Sequence, residues 1–345
     1  MRWAALWLGL LTACGLQAGV DWHLVFCLPY NNDLAEHSAF IQAELGRLHT
    51  DDRVAITLLV DTPEEPVAFL HYRGGTAPST DTTRWNSCKS GEALTAFLEW
   101  GRTRVPRAKR RAFFQLGHGG GLNRMLLDQH PDSTWMSTVQ FAQILGAHTS
   151  KYEPFDAVML QQCSKATLTE LVELAPVAEW LAASPLPIGA PNYYYAQLVQ
   201  GLQHRRYKRP KALLRACMTQ DRATMSQVWA LVHGPSLLSW VDQVERSLAQ
   251  APVEPQDLTA LPRIIYGGTD YWDLRTWMNL LVQDLTPDQR VPWRAVFAQA
   301  IDTWVRPGTT RPVSELCGVV VARRTPADQD FALATRAPLL WSVLP

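Results

Sequence analysis

The chain has 345 residues, 47% of them apolar and 19% charged. That composition excludes disorder, collagen-like repeats and coiled coils, and it supplies ample material for a buried core. Lys plus Arg and Asp plus Glu both number 32, so there is no basic excess to meet a phosphate backbone, and nucleic acid is excluded as a partner.

The first elements are an address. Met1-Arg2 is a short positive segment, and Trp3 to Leu11 (WAALWLGLL) is an apolar run too short to span a bilayer as a helix. Leu11-Thr12-Ala13-Cys14 resembles the lipobox of bacterial lipoproteins. On that reading residues 1–13 are a signal peptide, Cys14 is the lipidated first mature residue, and 14–21 form a tether. The alternative is an ordinary signal cut near Ala18. Both readings export the protein to the bacterial envelope, and the first anchors it in a membrane at the periplasmic face or cell surface. Cys27, Cys88, Cys163, Cys217 and Cys317 remain, an odd set, so at least one thiol stays free.

Residues 22–345 read as one domain. His23 to Leu28 is a buried strand, and after the polar turn Asn31-Asn32-Asp33 a helix with Leu34, Ile41, Leu45 and Leu48 on one face follows. Val54 to Val60 and Val67 to Tyr72 are strands, and Arg73 to Ser90 is a long polar loop. Then come a helix at Glu92 to Arg104, a strand at Ala112 to Leu116, a loop at Gly121 to Trp135 and a helix at Thr138 to Leu145. A strand at Phe155 to Leu160 and a helix at Leu168 to Leu174 complete the series. This alternation predicts an α/β fold with a mostly parallel sheet covered by helices. Beyond residue 200 the pattern is helical at Ala223 to Val232 and Tyr271 to Leu285, and Gly318 to Ala322 returns as a strand. The 14 Trp fit either a stacking groove or a core, and large aromatics more often fill cores.

Two predicted strands end in reactive residues: the first runs into His118-Gly119-Gly120-Gly121, the second into Gln161-Gln162-Cys163. In open α/β sheets the carboxyl ends of the strands share a crevice where function gathers. A thiolate is a strong nucleophile, and an imidazole beside it withdraws its proton and returns one to a leaving amine. The N–H groups of Gly119 and Cys163 suit a tetrahedral oxyanion. The helix after Cys163 is expected to aim its positive end at the sulfur. His233-Gly234, before Pro235, reads as a helix terminus. Taken singly, each residue has a structural explanation; the ordered pair is what points to chemistry.

At these residues the chain resembles the clostripain-like cysteine peptidases of the caspase-fold clan. Trp22 to Leu34 is similar to the family's opening strand and Asn/Asp-rich turn, Glu92 to His118-Gly119 to its histidine segment, and Asp156 to Cys163 to its nucleophile segment. Trp180 to Ser184 and Gly189 to Tyr195 are similar to the segment beyond. The resemblance implies a caspase-like three-layer sandwich and endopeptidase action on proteins or peptides. It makes His118 the general base and acid, Cys163 the nucleophile and Gly119 an oxyanion donor, with Gln161, Ser184, Gly189 and Tyr193 around the substrate. Gln161 stands where the family has an Asp that reaches a basic side chain, so Arg/Lys preference is not carried over. No EF-hand-like loop or carboxylate cluster is present, and neither a metal nor another cofactor is expected. The alternative is an inactive member of the fold that binds peptides or partner proteins.

Overall fold

The computed structural model describes residues 19–47, 52–74, 77–222, 224–310 and 313–345. Cys14 and the expected signal peptide lie outside them. Packing already begins within the expected tether: Val20 N–H donates to Arg107 O, Val20 O accepts from Lys109 N, and Asp21 pairs with the Lys109 ammonium at 2.6 Å.

The strands are β1 (Trp22–Pro29), β2 (Val54–Thr62), β3 (Glu65–Tyr72), β4 (Ser79–Thr82), β5 (Arg111–Leu116), β6 (Met125–Asp128), β7 (Thr134–Met136) and β8 (Phe155–Gln161). They continue with β9 (Ala178–Ala183), β10 (Val228–His233), β11 (Ile264–Tyr266), β12 (Thr269–Asp273), β13 (Ile301–Val305) and β14 (Val320–Ala322). Among the described residues they form a nine-stranded sheet in the order β13-β10-β9-β8-β5-β1-β2-β3-β4, a three-stranded sheet β11-β12-β14 and the hairpin β6-β7. The five central strands, β9-β8-β5-β1-β2, are mutually parallel, and the flanking strands run antiparallel. Strands such as β1 (WHLVFCLP) and β5 (RAFFQL) are buried along their whole length because helices cover both faces.

One face packs on α2 (Glu92–Arg104), α3 (Thr138–Lys151), α4 (Leu168–Leu174) and α7 (Gly234–Gln250), through residues such as Phe97, Phe141, Leu171 and Trp240. The other packs on α1 (Ser38–Gly46), α5 (Tyr195–Gln203) and α6 (Pro210–Gln220), through Ile41, Leu198 and Leu213. This is the three-layer α/β sandwich expected. Trp229, Trp240, Trp272, Trp277 and Trp293 are core residues, and the Trp240 indole donates to Pro292 O and Trp293 O at 3.0 and 3.2 Å.

Several expectations change. The polar stretch 73–90 contains edge strand β4, and 121–135 contains the β6-β7 hairpin, so neither is a plain loop. Val228 to His233 is a strand rather than the end of a helix; its run VWALVH is buried between β9 and β13, and β-branched and aromatic residues fit such a position. His233 is the N-cap of α7, with Pro235 in its first turn, so this pair begins a helix instead of ending one. Residues 269–273 are strand, and the next helix, α8, begins only at Leu274, capped by Asp273. The five described cysteines are all free thiols.

Candidate active site

The carboxyl ends of β1, β5 and β8 lie side by side, since β5 pairs with both β1 and β8. The turn after β1 carries Asp33, the loop after β5 carries His118 to Gly121, and the loop after β8 carries Cys163. His118 Nε2 is 2.6 Å from Asp33 Oδ1. Gln162 Nε2 donates to His118 O at 2.8 Å, which fastens the histidine loop to the residue before the cysteine. Gly119 shows why no side chain fits there: a Cβ would lie 2.3 Å from Cys163 O and 3.0 Å from Cys163 N. The structure therefore brings His118, Gly119 and Cys163 together. In this resting geometry the imidazole bonds Asp33 and the sulfur bonds other groups.

The Cys163 sulfur accepts from Ile188 N–H at 3.4 Å and donates to Ile188 O at 3.6 Å. Burial pushes the phenol of Tyr266, at the end of β11, up from its ordinary value, so it stays protonated. Burial also raises the thiols of Cys27, Cys88 and Cys217, and that of Cys317 to about 12. These four are poor nucleophiles near neutrality, whereas Cys163 is only partly buried.

Beneath the loops sits a buried ion pair. Lys165 Nζ donates to Glu170 Oε1 and to Gly121 O, both at 2.7 Å, and neither charged side chain is exposed to solvent. Glu170 also accepts from Thr138 Oγ1 at 2.8 Å, Thr167 Oγ1 at 2.9 Å and Asn123 N at 3.1 Å. Burial pulls the Lys165 ammonium below its usual value while the Glu170 carboxylate pushes it back. This pair displaces the expected helix end: α4 starts at Leu168 with Thr167 as its cap and Glu170 in its first turn, so its N-terminus is neutralised away from the sulfur.

The expected substrate-facing residues divide. Ser184 is fully buried and its hydroxyl accepts from Leu186 N at 3.1 Å, the contact of a turn residue. Gly189 N–H donates to Met225 O at 2.6 Å. Tyr193 is partly exposed beneath the Arg222 guanidinium, which lies 3.3 Å from its ring centre. Gln161 is 4% exposed, and both its amide atoms lack a hydrogen-bond partner.

Sequence reasoning missed Asp33, Lys165, Glu170 and Tyr266 as site residues. A signal existed for two of them: Asp33 lies in the turn that ends β1, beside β5. Ile264-Ile265-Tyr266-Gly267-Gly268-Thr269 has the Gly-Gly pair of a tight hairpin. Nothing local marks the Lys165–Glu170 pair as buried.

No family model and no curated protein matches the sequence. Solved structures do match. A secreted C11 cysteine protease from Bacteroides thetaiotaomicron, in complex with an irreversible peptide inhibitor, superposes with a TM-score of 0.68 at 12% identity, over 92% of this chain and 98% of that one. An inactive zymogen C11 protease from Parabacteroides distasonis superposes with a TM-score of 0.66 at 14% identity, over 93% and 99%. The fold is thus the caspase-like sandwich of the C11 cysteine proteases. C11 is the clostripain-like family that the sequence resembles.

Proposed function

We propose that this chain is a cysteine endopeptidase with Cys163 as nucleophile and His118 as general acid and base. The observation that carries the reading is the contact of two loops: Gly119 lies against the backbone of Cys163, and Gln162 grips the His118 carbonyl. The shared fold with C11 proteases supports it, and the peptide inhibitor bound to one of them supports a protein or peptide substrate.

The chemistry follows from the placement. The thiol proton passes to the imidazole and the sulfur attacks the scissile carbonyl carbon, forming an S–C bond. The oxygen's negative charge meets the N–H groups of Gly119 and Cys163, each such donor being worth about 3 kcal/mol in the transition state. Collapse breaks the C–N bond, and the imidazolium protonates the leaving amine. Water, deprotonated by His118, then attacks the thioester and releases the thiolate. Asp33 orients the ring and stabilises its cation. In the substrate groove, the neutral Gln161 amide with two unpartnered atoms suits a neutral polar side chain better than Arg or Lys.

The protein is exported and held at the membrane through a lipid on Cys14. The secreted C11 relative supports export, and among the described residues no helix is long and apolar enough to cross a membrane. Incorporation of labelled fatty acid that disappears in Cys14→Ser is the expected result for the anchor.

The test of activity is a mixed peptide library incubated with the mature protein and with Cys163→Ala, cleavage positions being read by mass spectrometry. Cleavage by the parent alone is expected. Absence of cleavage, together with a Cys163 that resists iodoacetamide in the folded state, refutes the peptidase reading in favour of a peptide-binding member of the fold.

A further inference from the structure

We infer that the pole of the protein opposite the active site is a docking face for the anionic headgroups of a phospholipid bilayer. The inference rests on the lipid-anchored reading for its setting, and it adds which way the anchored protein faces.

Two runs of sequence supply the charge. Arg102 to Arg111 (RTRVPRAKRR) holds six cations, Arg205 to Arg209 (RRYKR) holds four, and neither holds an acid. The fold brings the runs together. The first ends at the start of β5, where Arg111 pairs with His23 of β1. The second follows α5, and its turn is fastened to the same place. The Trp22 indole donates to Tyr207 O at 3.2 Å, and Arg53 Nη2, just ahead of β2, donates to Gln203 O at 2.6 Å. Here a cleft of about 340 Å³ is lined by Lys109, Arg110, Arg205 and Lys208. Its one carboxylate, Asp21, is already paired with Lys109 at 2.6 Å. At the start of β8, Asp156 accepts from Arg111 N at 2.7 Å and Glu153 lies 3.9 Å from the Arg111 guanidinium. Arg107, Arg205, Arg206, Lys208 and Arg209 are exposed around the cleft.

Charge and the course of the chain name the occupant. Val20 and Asp21 are pinned to this pole through Arg107 O, Lys109 N and the Lys109 ammonium. Five residues, 14–18, separate a lipid on Cys14 from Gly19, a reach of at most about 17 Å. The anchor thus keeps the basic pole close to the bilayer, where clustered Lys and Arg attract anionic headgroups and the Arg fork meets phosphate oxygens. The pole lies at the amino ends of the parallel strands, whereas His118 and Cys163 follow their carboxyl ends. A protein seated this way opens its catalytic crevice toward water, where protein substrates reach it.

The test uses the mature chain 14–345 with Cys14→Ser, so that no acyl chain contributes, and its cosedimentation with vesicles. Binding to phosphatidylcholine containing about one-third phosphatidylglycerol, and not to phosphatidylcholine alone, is expected, and added salt weakens it. Each basic side chain at such a surface strengthens binding about fivefold, so Arg205→Gln with Lys208→Gln weakens it about thirtyfold. Arg84→Gln with Arg246→Gln, which removes equal charge from exposed sites outside the two runs, leaves binding in place. Seating is read separately by acetylation with a water-soluble reagent. On anionic vesicles Lys109 and Lys208 react more slowly, while Lys89, next to the Cys88 amide that bonds Asp61 in β2, keeps its rate. Equal sedimentation with both kinds of vesicle overturns the docking face, as does an equal loss in the two double variants or equal protection of all three lysines. The two readings fail separately. A parent that incorporates no labelled fatty acid refutes the anchor, whatever the vesicles show. A parent that is acylated, while its Cys14→Ser chain ignores phosphatidylglycerol, refutes only the docking face.

Discussion

Lys165→Met is the sharpest perturbation of the ground under the site. The methionine fills nearly the same volume but removes the two charge-assisted bonds to Glu170 and Gly121 O. Glu170 keeps its bonds from Thr138, Thr167 and Asn123, yet it is a buried anion without a cation. Breaking a buried pair from one side costs about 3–5 kcal/mol, a large part of a domain's usual 5–15. Replacing both members, Lys165→Met with Glu170→Leu, removes the orphaned charge and returns much of that loss. The two single variants also differ in sign with pH. In Glu170→Gln the Lys165 ammonium is buried without its partner, so its folded-state value drops further below the unfolded one than in the parent. The unfolded chain then binds more protons than the folded one between those two values, and the stability of Glu170→Gln climbs as pH rises toward 10. Lys165→Met behaves oppositely: its isolated carboxylate is relieved by protonation, so its deficit shrinks as pH falls toward 5. Guanidinium unfolding followed by tryptophan fluorescence at pH 5, 7 and 9 reads both trends. Equal deficits in the two variants at every pH would refute the buried-pair account.

Three further outcomes are expected. Asp33→Ala removes the carboxylate that orients His118 and lowers kcat about tenfold with little change in KM, as one partly exposed charge-assisted bond implies; steady-state kinetics on one peptide checks it, and a pure KM effect contradicts the role. Gln161→Asp creates cleavage after Arg in the peptide library, and an unchanged pattern removes Gln161 from the specificity pocket. Asp61 is held at about 6 by burial, against an ordinary 3.8, with one carboxylate oxygen accepting from Cys88 N and the other unpartnered. A value raised on folding means stability present at pH 4 and lost as pH rises through 6, about 3 kcal/mol for two units. Asp61→Asn accordingly stabilises the protein at pH 7 and flattens its unfolding curve between pH 4 and 7.

The parallel core of the fold was legible because each central strand is covered on both faces and reads as a largely apolar run: FDAVMLQ for β8 and RAFFQL for β5. Those runs also located His118 and Cys163, since strand ends in an open sheet converge whatever the loops contain. β10 escaped because tertiary position decided it. Its apolar run is short enough to be a strand or part of a helix, and only its place between β9 and β13 makes it extended. The turn contact of Ser184 was not legible either: its hydroxyl accepts from Leu186 N, an amide two residues away.

What stayed hidden follows one rule: groups that act by meeting a distant segment leave no local trace. Glu170 looks like an ordinary first-turn acid, and Lys165 like a solvated cation, until the Gly121 carbonyl and the Thr138 hydroxyl close over them. Tyr266 is about a hundred residues from Cys163, and its hairpin is joined to the cysteine loop through β14, which binds that loop at Ala166 and pairs with β12. The β11-β12 hairpin turns at Gly267-Gly268, and its tip sits on Gly120 and Gly121, in the loop that carries His118 and Gly119. A bulkier residue at Gly267 therefore displaces the backbone of that loop, because a Cβ there would lie 2.5 Å from Gly120 O and 2.9 Å from Gly121 N.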